Sequence, residues 1–202
     1  MPHDTPTRNR GPAAAGANRA ALIAAARRQF AAHGYEVPLS AIAREAGVGQ
    51  GVLYRHFRHR LALALAVFGE NIDELEALAA DAPDADALSM LVARMLQMTL
   101  QNAAFVDAVV RGRVEAAWDG DRRVTALLVR PLAHARSAGT VRGDLTVDDL
   151  MLLVRMAHGL GATQPGPSAA REGVLRLVAL VDGGLGAAVG AHWPQPSPQE
   201  DR

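Results

Sequence analysis

The sequence predicts an all-α protein, and three observations carry that prediction. From Asn18 onward, apolar residues recur at helical spacing in nearly every segment. Strand signals are sparse: β-branched runs are few, aromatic residues make up only 4% of the chain, and there is no Asn-Gly hairpin dipeptide. Gly or Pro stands at most breaks between periodic segments, as at Gly34, Gly47, Pro83 and Gly139.

Residues 1–17 are polar and Pro-containing and read as a disordered arm. A first helix begins near Asn18, a good N-cap, carries Leu22, Ala26 and Phe30 on one face, and stops at Gly34. A short second helix spans about Pro38 to Ala46, with Ile42 and Ala46 inward. After Gly47-Val48-Gly49 a third covers about Gln50 to Phe57, with Leu53 and Phe57 as its buried pair. In the fourth, Leu61, Leu65, Phe68, Ile72, Leu75 and Leu78 step by three or four, giving one continuous amphipathic helix. Pro83 breaks the chain. A fifth helix from about Asp84 to Gln101 carries Leu88, Leu91, Met95 and Met98, and a short sixth lies near Phe105 to Arg113. A seventh runs from Gly120 to Ala138 with Pro131 inside it, where a kink is expected. Thr146 and Asp149 have the spacing of a capping box for an eighth helix to about Leu160. Gly161 to Pro167 reads as a loop, and Ser168 as the cap of a ninth helix to about Val189. Residues 191–202, with Pro194, Pro196 and Pro198, read as a disordered tail. About nine helices are expected in all.

Composition narrows the function. With 202 residues, half of them hydrophobic, the chain buries a real core. It has no cysteine, which excludes disulfide scaffolds, thiolate zinc sites and cysteine nucleophiles. No run approaches the ~18 apolar residues of a membrane span, so the protein is expected to be soluble and cytoplasmic, without membrane contact. The formal net charge of zero hides an asymmetry. Residues 1–60 hold nine Arg against Asp4, Glu36 and Glu45, whereas residues 61–202 hold twelve Arg against eighteen acids. A basic head on an acidic body suits a polyanion bound at one end.

The second and third helices, each about eight residues and joined by a tight Gly-containing turn, have the dimensions of a helix-turn-helix, whose second helix can enter the DNA major groove. Small residues at Ala43, Ala46 and Val48 permit close packing, and Gln50-Gly51-Val52 presents small or polar groups where base edges would lie. Gln50 can pair with adenine N6 and N7. Tyr54, Arg55, His56, Arg58 and Arg60 stand nearby as phosphate partners. His56 and His59, three apart, lack a third ligand, so no metal is expected. The chain has no Gly-x-Ser-x-Gly, phosphate loop or His-Glu-x-x-His, so it is not expected to be an enzyme or to carry a cofactor. A helical protein that merely sequesters a metabolite is the rival reading, and the basic head argues against it.

Gly34-Tyr35, Ile42-Ala43-Arg44-Glu45-Ala46-Gly47-Val48 and Leu53-Tyr54-Arg55-His56-Phe57 together resemble the signature of the TetR family of bacterial repressors. Val52 stands where the family often has Thr, Val37-Pro38 where it has a hydroxyl pair, and Arg58-His59-Arg60-Leu61 where it enters helix four through Pro-Ser-Lys-Glu. The resemblance implies residues 18–60 as a DNA-binding domain and 61–190 as a helical regulatory and dimerisation domain. It implies DNA contacts by Arg44, Gln50, Gly51, Val52, Tyr54, Arg55, His56 and Arg60, with Arg60 replacing a phosphate-binding Lys. It also implies a homodimer through helices eight and nine, with Leu150, Leu153, Val154, Ala157, Leu160, Leu175, Val178, Ala179 and Gly186 apolar enough to pack there. Double-stranded operator DNA and a small, mainly hydrophobic effector are the implied partners. Met95, Met98, Phe105, Trp118 and Met156, with Arg122 and His134 as polar anchors, are the candidate effector pocket.

Overall fold

The computed structural model describes residues 12–101 and 119–193, and every regular element among them is helical. In chain order these are α1 (Pro12–His33), α2 (Leu39–Glu45), α3 (Gln50–His56), α4 (Arg60–Asp81), α5 (Ala87–Gln101), α6 (Gly120–Ser137), α7 (Val147–Thr163), α8 (Pro167–Val181) and α9 (Gly183–Ala191). The sixth predicted helix, near Phe105 to Arg113, lies outside the described residues. The chain divides into two compact units, Met1–Val67 and Phe68–Arg202, so the division falls inside α4.

In the first unit α1 packs on α2 and α3, and α2 on α3. Leu22, Ile23, Ala26, Ile42, Ala43, Leu53, Leu63 and Ala64 are almost wholly buried. Phe30 and Phe57 close the cluster. α1 begins at Pro12, six residues before Asn18. Proline at a first helical position has no N–H to leave unpaired, and the Ala-rich stretch behind it has the highest helix propensity. The expected disordered arm is therefore helix from residue 12. Glu45 at the end of α2 accepts hydrogen bonds from Arg28 and Gln29 of α1, which tie the two helices outside the core. These bonds, Arg28's first, hold the Glu45 carboxyl below its ordinary range.

The second unit is built around α5, which packs against α6, α7, α8 and α9. Leu88, Leu91, Val92, Met95, Leu96 and Met98 of α5 join Val124, Leu128 and Leu132 of α6, Leu150, Leu153 and Ala157 of α7, Val174 and Val178 of α8, and Leu185 and Val189 of α9 in one apolar cluster. Ser89 and Thr99, the buried polar side chains of α5, donate to the helix carbonyls of Asp86 and Met95. The interior along α5 thus presents no unsatisfied hydroxyl at these two positions. At the surface, Arg123 of α6 bridges Asp73 and Glu76 of α4, and Arg94 of α5 bridges Glu74.

Three sequence boundaries are corrected. α7 continues through Gly161 to Thr163, so the loop before α8 is only Gln164–Gly166. α8 starts at Pro167 with Gly166 as its cap, and Ser168 lies inside the first turn. The predicted ninth helix breaks at Asp182 into α8 and α9. Asp182 is buried; one carboxylate oxygen accepts from the Leu185 N–H at 2.8 Å and caps α9, while the other accepts from the Arg142 N–H at 2.7 Å. Of the expected disordered tail, Ala191 ends α9 and Trp193 is buried in the core cluster; the rest lies outside the described residues. α6 runs through Pro131 without a break.

The capping box of α7 forms in full. Asp149 N–H donates to Thr146 Oγ1 at 3.1 Å, and the Asp149 carboxylate accepts from the Thr146 N–H at 2.8 Å and from its hydroxyl at 2.6 Å. The hydroxyl bond first, then the backbone bond, holds the Asp149 carboxyl below its ordinary range. A depressed carboxyl stabilises the fold above its unfolded value, about pH 4, and that contribution fades as pH falls through the lower folded value. Asp149→Ala is therefore expected to flatten the acid limb of the body's stability profile below about pH 4. Urea titrations at pH 3 and pH 6 check this; an unchanged difference between the two refutes it.

Candidate nucleic-acid interface

The turn between α2 and α3 determines what α3 shows to solvent. α2 ends in a double backbone closure: Gly47 N–H donates to Arg44 O at 3.1 Å and Val48 N–H to Ala43 O at 3.0 Å. That pairing needs a left-handed residue at Gly47, whose φ is +67°. The chain then extends through Gly49, whose carbonyl accepts from Val52 and Leu53 to start α3. Leu53, one residue off the exposed face, is 1% exposed and anchors α3.

The opposite face of α3 is open. Gln50, Gly51, Tyr54 and Arg55 are exposed, and Val52 and His56 are half-buried. Tyr54 is 52% exposed, so packing within the chain does not account for it. A Cβ placed on Gly51 would meet nothing within 4 Å, so no neighbour in the chain demands its bare backbone. Arg55 Nε donates to Gly51 O across one turn, 3.2 Å away, which steadies the guanidinium beside the start of the helix. Arg44, at the end of α2, is exposed, as are Arg58 and His59 just after α3. The His59 ring also caps α4: its Nδ1 accepts from the Ala62 N–H at 3.1 Å. The sequence pattern makes His59 a poor replacement for a capping serine, because imidazole is not among the usual caps.

Arg60 is placed differently from the other cations. It is half-buried, and its Nη1 donates to the backbone carbonyls of Tyr35 and Val37. Its guanidinium carbon stands 5.4 Å from the Tyr35 ring centre. Tyr35 in turn stacks on Phe30 at 5.7 Å. Arg19 lies over Phe57 at 5.5 Å. The periodic pattern gave no sign of either contact.

The candidate effector residues do not come together. Met95 and Met98 are buried in the core. Arg122 is exposed and pairs with Asp119, and His134 is exposed. The buried stripe of α6 is Val124, Leu128, Leu132 and Ala135, and neither Arg122 nor His134 lies on it. Met156 is 46% exposed, on the face of α7 away from Leu153 and Ala157. Phe105 and Trp118 lie outside the described residues. The dimer-forming set also shifts. Leu150, Leu153, Ala157, Val178 and Gly186 are consumed by the chain's own core. The large apolar residues left exposed on α7 and α8 are Leu152, Met156 and Leu180. Sequence reasoning missed Leu152 and Leu180; their signal was being apolar while off the core stripe.

A short anchored helix presented by a glycine-closed turn, with cations around it, defines a helix-turn-helix DNA-binding protein. Residues 22–67 match the family model described as bacterial regulatory proteins, tetR family. The TetR transcription regulatory protein from Mycobacterium vanbaalenii is 34% identical over 73% of this chain and 96% of its own, with a TM-score of 0.58. A TetR transcriptional regulator from Streptomyces coelicolor is 29% identical over 88% of this chain and 99% of its own, with a TM-score of 0.59. A γ-butyrolactone receptor, 23% identical over 88% and 96% with a TM-score of 0.57, shares the fold. Comparison with curated proteins gives no match. The chain belongs to the TetR family of bacterial transcriptional regulators. It is accordingly a DNA-binding regulator and not an enzyme. Among the described residues, no helix is long and apolar enough to cross a membrane.

Proposed function

We propose that the protein is a cytoplasmic, homodimeric repressor that binds a pseudo-palindromic operator through α3 and releases it when a small, mainly hydrophobic effector binds the second unit. The observation that carries the reading is the solvent-facing surface of α3: Gln50, Gly51 and Tyr54 exposed, Leu53 buried behind them, Arg44 and Arg55 alongside. Gln50 and Val52 read base edges; Arg44, Tyr54, Arg55 and His56 hold phosphates. The exposed Leu152, Met156 and Leu180 supply the face for a second copy. The apolar lining around α5 suits a hydrophobic effector, and the fold is one that γ-butyrolactone receptors also use.

Selection from random duplexes should recover a site with two-fold symmetry and half-sites about 10 base pairs apart, centre to centre. Affinity for that duplex should fall steeply with salt, and Arg44→Ala or Arg55→Ala should each reduce the log–log slope by about 0.9. Both side chains are exposed, so thermal stability should hold. Failure to enrich any sequence, or a salt-independent affinity, refutes the reading.

A further inference from the structure

We propose that Arg60 serves DNA binding as a positioning residue, an internal clamp on the turn that leads into α2, and not as a phosphate contact. The inference rests on the DNA-binding reading above. Arg60 is the first residue of α4, and one of its nitrogens donates to two carbonyls, Tyr35 O and Val37 O, in the short link between α1 and α2. The plane of the guanidinium lies over Tyr35, which is itself stacked on Phe30 at the end of α1. Val37 is buried and leads directly into Pro38, the cap residue of α2. Pro38 offers no side-chain cap, and its carbonyl accepts from Ala41 and Ile42. The start of α2 therefore depends on how the backbone at residues 35–37 is held. Backbone carbonyls concentrated on one cation make that hold, and they draw the guanidinium toward protein atoms.

A clamp and a phosphate contact demand different chemistry. A phosphate contact needs a positive charge, which lysine also supplies. The clamp needs a planar group that chelates two carbonyls while covering a ring, which lysine cannot do. Removing a phosphate contact lowers the salt slope by about 0.9, whereas moving α3 by loosening its support lowers affinity with the slope kept.

The test compares wild type, Arg60→Lys, Arg60→Gln and Tyr35→Leu as full-length chains, at a temperature where thermal melts show each folded. The probe is the selected duplex across a salt series. Arg60→Lys should lose about tenfold in affinity, Arg60→Gln about the same, and both should keep the wild-type slope. Tyr35→Leu, which leaves the charge in place, should lose affinity in the same direction. Amide exchange at Val37, Ala41 and Ile42 should quicken in all three variants without DNA present. Arg60→Lys within twofold of wild type, or a slope reduced by about 0.9 in Arg60→Gln, overturns the clamp. So does unchanged exchange at those amides, which decides the matter even if a variant binds no DNA. A wild-type protein that binds no duplex refutes the DNA-binding reading itself, and the positioning role with it.

Discussion

Asp182→Ala is expected to destabilise the second unit by about 2–6 kcal/mol, because it orphans two backbone donors at once. The carboxylate accepts from Leu185 N–H and Arg142 N–H through separate oxygens, 2.8 and 2.7 Å away. Each donor left unpaired away from water costs roughly 1–3 kcal/mol. Water has little room to replace the carboxylate. A Cβ on Gly184 would stand 2.3 Å from Thr140 O, and one on Gly186 would stand 2.6 Å from the Ala179 Cα. At both places backbone meets backbone, so the surrounding chain cannot easily open. Asp182→Asn is the informative companion. Its single carbonyl oxygen can serve one donor, and its NH2 then faces the other, so it should fall well short of restoring stability. Set against typical stabilities of about 5–15 kcal/mol, such a loss should be plain in urea titrations followed by far-ultraviolet circular dichroism. A shift in stability under about 1 kcal/mol for Asp182→Ala would show that this junction is not where α8, α9 and the Arg142 segment are joined.

That junction also shows where the sequence stops being legible. Val178, Leu185 and Val189 are spaced so that a single helix keeps them on one stripe, and local periodicity has no means of registering a donor 40 positions away at Arg142. The break is a tertiary event. Asn18 illustrates a different failure: a good cap residue was taken as a start, when the Ala-rich turns before it extend the helix to Pro12. The first unit was far more legible, because its information is local. Gly47 and Leu53 specify turn and anchor within seven residues, and the elements lie where spacing placed them. Arg60 marks the limit there too. Its residue type and position suggested a phosphate, and only the packed link at Tyr35–Val37 reveals a competing set of acceptors. The candidate pocket was assembled from residue types favoured in adaptable cavities, without asking which face each occupies. Arg122, His134 and Met156 fall on exposed faces for that reason.

Face, not composition, also governs the expectation for assembly. Met156→Glu combined with Leu180→Glu should convert a dimer to a folded monomer and lower operator affinity at least 100-fold. Leu152 and Met156 are four apart on α7, and Leu180 on α8 is 74% exposed; together with Val181 they line one shallow depression, edged by Arg142 and Asp149. Beneath them Leu153 and Ala157 already belong to the core, so the exposed set is surplus to folding the single chain. Charge placed on an exposed side chain should cost the protomer little, typically within about 0.5 kcal/mol. In a dimer interface the same carboxylates would be buried unpaired, at several kcal/mol. The effect on DNA follows from linkage between half-sites: a tethered second head adds roughly 10²–10⁴ in avidity, which a monomer forfeits. Val129 of α6 is the control. It is 57% exposed but belongs to no such cluster, so Val129→Glu should leave both mass and affinity unchanged. Light scattering at micromolar concentration reads the assembly, and titration of the selected duplex reads the affinity. A double variant that remains dimeric, or a monomer that keeps wild-type affinity, would place the contact on some other face.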